Sequence, residues 1–287
     1  TAAAFETEGL RLGPGVTNPL TRHPLTTASA IASLDDASGG RADLVVGTGF
    51  SSAYIIGQKA ATLATMRRSI ALWHSIFSGA RTELGGLEIE LEPPYPGLPV
   101  YLAATGPKAL QLAGEVADGV LIMVGAAPGS VAWALEQVAA GMALAGRERH
   151  EVRRILVVTA CVDADRARAI DRMRPCAAAL CRHRHADVLF GRAGLAAPTV
   201  PSGHVDPYPD LGHAVDWEEA KRVSAFVPDE AVEAMVALGS GPEVAARAQA
   251  LIELDIDAIW WRDEATWERP DALLQGLSTE VLPRLRA

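Results

Sequence analysis

An α/β protein with a parallel sheet is the fold class predicted by three features of the sequence. Six short runs rich in Val, Ile, Leu and Trp recur along the chain, and each is followed by a segment with helical spacing of its apolar positions. Short apolar strands alternating with helices form parallel sheets that are covered on both faces. The chain has 287 residues, 49% of them apolar, which suffices for a large core and lies within the range of a single α/β barrel. The βαβα order fits a closed barrel or an open doubly wound sheet, because periodicity does not separate the two.

Thr1 to Gly9 is Ala-rich and ends in Thr7-Glu8-Gly9, which reads as the last turns of a helix with a glycine cap and no strand before it. On that reading the chain begins in mid-fold, and an eight-stranded barrel lacks its first two β/α units. Such a barrel bares two strand edges unless a neighbour replaces the missing strands. Leu10 to Val16 reads as the first strand: alternating apolar residues run into Gly13-Pro14-Gly15, and Pro19 stops further pairing. Ligands bind at the carboxyl ends of parallel strands, so Gly15 to Asn18 either rims a site or serves as a plain strand-to-helix turn.

The remaining strands are predicted at Asp43 to Gly47, Val100 to Ala104, Gly119 to Val124, Ile155 to Val162 and Ala258 to Trp261. Helices are predicted over 24–37, 59–78, 107–117, 130–146, 164–182 and 271–286. Between them, an excursion over about 183–241 breaks the rhythm with His, Pro, Gly and Trp. A connection of that length marks a function or an interface, and it contains short helical pieces at 216–224 and 229–238.

Composition excludes several partners. The formal charge is −9, and the few lysines, Lys59, Lys108 and Lys221, build no basic face, which argues against nucleic acid. The longest uncharged run, Gly119 to Leu135, is broken by Gly125, Pro128 and Gly129 and falls short of the ~20 apolar residues of a membrane-spanning helix. No charged-then-apolar leader follows Thr1. Three unevenly spaced cysteines make no disulfide framework, which favours a reducing compartment, the cytoplasm.

Three runs carry a family likeness. Gly13-Pro14-Gly15-Val16-Thr17-Asn18-Pro19 leads to Thr21-Arg22-His23-Pro24, then comes Leu34-Asp35-Asp36-Ala37-Ser38-Gly39-Gly40-Arg41. Ala103-Ala104-Thr105-Gly106-Pro107-Lys108-Ala109-Leu110 follows and precedes Ala117-Asp118-Gly119-Val120. In this order and spacing they resemble the bacterial luciferase-like oxidoreductases, and within these the deazaflavin-dependent branch. The resemblance implies a single luciferase-like TIM (β/α)8 barrel domain over 1–287 with an insertion before the last strand, acting on a small-molecule substrate as a homodimer. It implies coenzyme F420 lying across the carboxyl ends of the strands. A non-proline cis peptide at Gly15-Val16 then backs one face of the ring, Thr17 and Asn18 reach the ring system, Thr48 adds a contact, and Thr105, Gly106, Lys108 and Ala109 bind the cofactor phosphate.

The residues support part of this independently. Glycine and first-turn amides ahead of a helix make an anion site, and proline at the first helical position gives up no needed hydrogen bond. The other reading is a plain turn, since no full dinucleotide fingerprint is present. Hydride transfer from a deazaflavin asks the protein to align two flat reactants and exclude water, so no strong general acid is required of the chain. Relatives carry Asp or Glu where this chain has Phe50, which counts against a sugar-phosphate dehydrogenase that uses a carboxylate there and makes Phe50 a candidate pocket wall. Two rival readings stand beside the oxidoreductase: an FMN-dependent monooxygenase of the same superfamily, and a barrel that has lost catalysis and serves as a binding partner.

Other constellations carry less. Cys176, Cys181, His183 and His185 invite a zinc reading, yet their spacing does not match paired-cysteine sites, and on a helix the two cysteines point about 140° apart. His23 caps or packs at a helix opening, His74 sits at a core edge with Trp73 and Phe77, and Asp163 and Asp165 cap a helix start. Trp260 and Trp261 end the last strand on opposite faces.

Overall fold

The computed structural model describes residues 1–263 and 269–285. The chain forms two compact units, Thr1–Leu121 with Gln137–Arg153, and Ile122–Glu136 with Arg154–Ala287. The first contains, in order, α1 (Ala2–Glu6), α2 (Pro24–Ser38), β1 (Leu44–Val46), α3 (Phe50–Ile55), α4 (Leu63–Phe77), β2 (Thr82–Leu84), β3 (Leu87–Ile89), β4 (Val100–Ala104), α5 (Pro107–Val116) and all but the last residue of β5 (Gly119–Ile122). Strands β1 and β4 pair in parallel, with Leu44 opposite Val100 and Val46 opposite Leu102. Every residue of β1 is buried, as a strand covered on both faces requires. Helix α2 buries Ala28, Ile31 and Ala32, and α4 buries Met66, Ile70, Trp73 and Phe77. These positions recur at three- and four-residue spacing and so form one apolar stripe on each helix. Trp73 satisfies its indole N–H on the Pro24 carbonyl at 3.2 Å, and His23 caps α2 by accepting from the Leu25 N–H.

Three expectations for this unit need correction. Leu10 to Val16 is not a strand: it touches its neighbour through two isolated parallel bridges, Leu12 to Ala42 and Thr17 to Val46. Five residue steps on one side face four on the other, so the segment carries one extra residue and bulges across Gly13-Pro14-Gly15-Val16, where Pro14 has no N–H to give. The glycine cap of the first helix is absent, because α1 ends at Thr7 in extended backbone. Finally, β2 and β3 form an antiparallel hairpin that the sequence reading lacks. Its two-residue turn, Gly85-Gly86, takes φ of 64° and 81°, the primed geometry that glycine supplies without strain.

One carboxylate ties the start of β5 to its neighbours. Asp118 Oδ2 accepts from the Val100 N–H at 2.8 Å and lies 2.8 Å from His74 Nε2. Burial works to raise the Asp118 carboxyl, but the His74 and Val100 hydrogen bonds outweigh it and hold the group below the ordinary carboxylate value. A carboxyl lowered by folding contributes stability that is complete above its ordinary pKa and is lost as the pH falls through the lowered one. Unfolding of the wild type is therefore expected to become easier as the pH drops below about 4, and Asp118→Asn should flatten that part of a stability-versus-pH curve measured with denaturant.

In the second unit, to which α6 (Pro128–Leu144) contributes its first half, the chain continues through β6 (Arg153–Val162), α7 (Arg166–Cys181), α8 (Ala186–Arg192), α9 (Trp217–Val223), α10 (Asp229–Met235), β7 (Ala237–Gly239), α11 (Gly241–Ile252), β8 (Ala258–Arg262) and α12 (Asp271–Gly276). Strand β6 pairs in parallel with β7 through Ala160 and Ala237 and with β8 through Ile155 and Ala258. Here β7 stands where the helical piece 229–238 was expected to end, and α11 follows from a capping box in which Ser240 and Glu243 satisfy each other's backbone donors. The expected helix 271–286 is realised as α12 and two further helical turns to Arg284; residue 286 lies outside the described residues. Asp165 caps α7 by accepting from the Arg168 N–H, and no helix among the described residues is long and apolar enough to cross a membrane.

Candidate active site

Three carboxyl-terminal segments meet at one edge of the first unit. Because β1 and β4 run in parallel with Val46 opposite Leu102, the residues that follow them, Gly47-Thr48-Gly49 and Thr105-Gly106, emerge on the same side. Gly15 to Asn18 joins them through the bulge: the Thr17 N–H donates to the Val45 carbonyl at 3.0 Å, and the Gly47 N–H donates to the Thr17 carbonyl at 2.8 Å. The peptide between Gly15 and Val16 is cis, as the resemblance implies. A side chain on Gly47 would place its Cβ 2.9 Å from Val16 Cγ2, so glycine there is what lets the bulge lie against β1.

The bulge is clamped at both ends. Arg11 Nε donates to both Asp43 carboxylate oxygens, at 2.9 and 3.1 Å, and Nη2 adds a 2.6 Å bond. At the other end Asn18, buried, accepts with Oδ1 from the Leu20 and Thr21 N–H groups at 2.8 and 3.0 Å and donates from Nδ2 to Ser52 Oγ at 2.9 Å. Ser52 is on α3, so the side chain expected to reach a ligand also braces the loop and the helix that follows. The sequence reading missed Ser52 and the role of Gly49, which takes an αL backbone (φ 76°) and lacks the Cβ that would fall 2.9 Å from Asn18 Cβ. Alternating glycines directly after an apolar strand were the available signal.

Of the other expected residues, Thr17 is buried, Thr48 is half-buried and its carbonyl accepts from the Ala61 N–H at 2.8 Å, and Val16 is exposed. Thr105 and Gly106 are half-buried, Lys108 is exposed and Ala109 half-buried at the start of α5, a ten-residue helix whose N-cap Gly106 offers no side chain to its amides. The residues fit a flat, anionic group: a backbone shelf of glycines with Val16 on it, and an uncapped helix start beside a lysine. Across residues 13–19, 47–58 and 105–109 no Asp, Glu or His occurs; the titratable side chains are Tyr54 and Lys108. Two cavities, of about 510 and 500 Å³, lie elsewhere: the first is lined by Asp35, Asp36, Ala42 and Leu98 near the amino ends of β1 and β4, the second by Glu90 to Pro94. Neither contains an expected site residue.

Cys181 is buried, donates to the Ala177 carbonyl, and has its thiol pushed up to about 12 by burial, so it is inert near neutrality. His204 pairs with Asp206 at 3.0 Å and His213 with Asp210 at 2.9 Å, inside the excursion.

A bulge and a bare helix start at the carboxyl ends of parallel strands stand where α/β enzymes of this architecture bind their ligands. The chain belongs to the luciferase-like monooxygenase family, whose profile matches residues 1–258. It is 32% identical to 5,10-methylenetetrahydromethanopterin reductase of Methanolobus tindarius over 90% of this chain and 79% of that protein. It is 29% identical to an F420-dependent glucose-6-phosphate dehydrogenase of Nakamurella multipartita over 81% of this chain and 69% of that one. The solved coenzyme F420 dependent tetrahydromethanopterin reductase of Methanopyrus kandleri superposes with a TM-score of 0.76 at 25% identity, covering 99% of this chain and 86% of that chain.

Proposed function

We propose that the protein is an oxidoreductase that transfers a hydride between coenzyme F420 and a small organic molecule. The observation that carries the reading is the bulge at Gly13 to Val16, held between the Arg11–Asp43 and Asn18–Ser52 clamps beside the carboxyl end of β1. Its support comes from relatives named for coenzyme F420. When bound, the deazaflavin supplies the hydride chemistry. The chain's part is to hold a flat ring on Gly15 and Val16, with Thr17, Asn18 and Thr48 at its edge, and to receive a phosphate at Thr105, Gly106, Lys108 and Ala109. A rigid shelf suits this role, because hydride transfer depends on alignment within van der Waals contact and on dryness. With no carboxylate or imidazole on the three rim segments, the step draws no proton from a strong acid of this rim.

A homodimer in the cytoplasm completes the proposal. Absorbance titration tests its centre: coenzyme F420 should bind saturably and change its single long-wavelength band, and Lys108→Ala should weaken binding about tenfold by removing a phosphate partner. Tight binding of FMN, with its two-band spectrum, and none of F420 overturns the reading in favour of a flavin monooxygenase.

A further inference from the structure

The run Leu34 to Arg41, one of the three that carry the family likeness, has no part in the rim. It forms one wall of the cavity of about 510 Å³ near the amino ends of β1 and β4, and Pro93, Pro94, Tyr95 and Leu98 contribute the facing wall. Every polar side chain that lines this cavity is left as an acceptor. The Tyr95 hydroxyl gives its proton to Asp36 Oδ2 at 2.7 Å, and Asp35 Oδ1 accepts from the Ala42 N–H at 3.0 Å. Among the described residues no donor reaches Asp35 Oδ2 or Asp36 Oδ1, and neither carboxylate is paired with a cation. Arg41 stands close in sequence but gives its guanidinium to the Ser38, Leu10 and Ala4 carbonyls and the Thr7 hydroxyl, at 2.6 to 3.1 Å, and Arg11 is held on Asp43.

The two carboxylates also occupy the last turn of α2, a helix of 15 residues with no basic residue in that turn. Lys, Arg or His is the favourable choice there, beside the negative end of the helix dipole. A local preference broken without a compensating contact is the pattern of a functional site, where a ligand supplies the missing charge. The cavity of about 500 Å³ shares Pro93 and Pro94 with the first and adds Glu90 and Glu92. Arg81 pairs with Glu90 at 3.3 Å, and among the described residues Glu92 has no cation.

We infer that these two cavities form a binding site for a linear aliphatic polyamine, with its ammonium groups on Asp35, Asp36 and Glu92 and its methylene stretches along Pro93, Pro94 and Tyr95. Walls that offer acceptors and negative charge call for N–H donors that carry positive charge. The prolines and the tyrosine ring lie between those charges, and methylene groups laid on them leave water. A bare divalent ion instead asks for about six to eight oxygens at one point, and no group of three metal-ligating side chains stands together among the described residues. Each volume is that of a small-molecule site.

The test is calorimetric titration of the full chain with spermidine at about 0.1 M salt, where charges more than ~10 Å apart are largely screened. Saturable binding is expected. Asp36→Asn should weaken it about threefold or more, and Asp35→Asn combined with Asp36→Asn about tenfold or more, while each asparagine keeps an oxygen for Tyr95 or Ala42. Glu6→Gln combined with Glu8→Gln, which removes the same charge from exposed positions at α1, should leave binding unchanged. Spermidine should also raise the wild-type denaturant midpoint, and raise it less in the single Asp36→Asn protein, a readout that stands if the double variant fails to fold. Affinity indifferent to Asp35 and Asp36, or magnesium ion binding as tightly as spermidine, leaves only a counterion atmosphere and overturns the inference. So does a lysine-rich peptide that displaces spermidine and binds more tightly through the same carboxylates, since the occupant is then a protein segment.

Discussion

Alanine in place of Gly141 is expected to cost about 3 kcal/mol of stability, at the upper end of what one added methyl group does by overpacking. Gly141 lies on α6 and faces α5 at Gln111, where the added Cβ would be driven into the Gln111 carbonyl oxygen and its carbon; Gly114 on α5 meets the Val138 carbonyl in the same way. Two helices thus approach backbone to backbone through paired glycines, and neither neighbour is a side chain that can swing aside. Relief requires the helices to separate, which opens voids along a contact that packs at near-crystalline density. Gly191, in α8, provides the contrast, because its added Cβ would meet nothing within 4 Å and its backbone is helical. Gly191→Ala is expected to be neutral or to stabilise by up to about 1 kcal/mol, through the lost entropy of glycine in the unfolded chain. Denaturant midpoints at unchanged slope give both values; a Gly141→Ala protein as stable as the wild type would show that the two helices do not pack this closely.

Such contacts mark the boundary of what was legible in the sequence. The alternation of apolar runs with helical segments placed β1, β4, β5, β6 and β8 within a few residues, because each is written as a short apolar run between helical segments. Two of the helix starts, at Pro24 and Pro107, were legible from their prolines. By contrast, β7, Ala237–Gly239, has no β-branched residue and merges in the sequence with the helix before it. Glycine, proline and small polar residues after an apolar run pointed to Gly15 to Asn18 as a candidate rim, and the resemblance pointed to Thr105 to Ala109, yet a bulge is a relation between two segments: only the register of Leu12 on Ala42 and Thr17 on Val46 shows the extra residue. The bond from Asn18 to Ser52 joins residues 34 apart, and nothing in either one's neighbourhood announces the other.

Asn18→Leu is expected to destabilise the protein by about 3–5 kcal/mol, whereas Asn18→Asp costs about 1 kcal/mol or less. Leucine is close in size and apolar, so the pocket stays filled, but the Leu20 and Thr21 N–H groups lose their shared acceptor and Ser52 loses its donor. A buried polar group without a partner costs about 1–3 kcal/mol, and the two N–H groups are affected together, while Ser52 keeps only its 3.3 Å bond to the Gly49 carbonyl. Aspartate keeps an oxygen in the Oδ1 position, and the Ser52 hydroxyl exchanges its long 3.3 Å bond to the Gly49 carbonyl for one to the second oxygen. Three donors then surround the buried carboxylate, the arrangement that keeps such a group ionised. The same substitutions divide at the cofactor step. In the Asn18→Leu protein the segment from Val16 onward loses its anchor on α3, and coenzyme F420 should bind at least about tenfold more weakly in the absorbance titration; the aspartate variant should hold the shelf in place and lose far less. If the leucine protein matched the aspartate protein in both measurements, Asn18 would be filling space rather than bracing the rim, and the shelf would owe its shape to the Arg11–Asp43 clamp and the backbone bonds of Thr17.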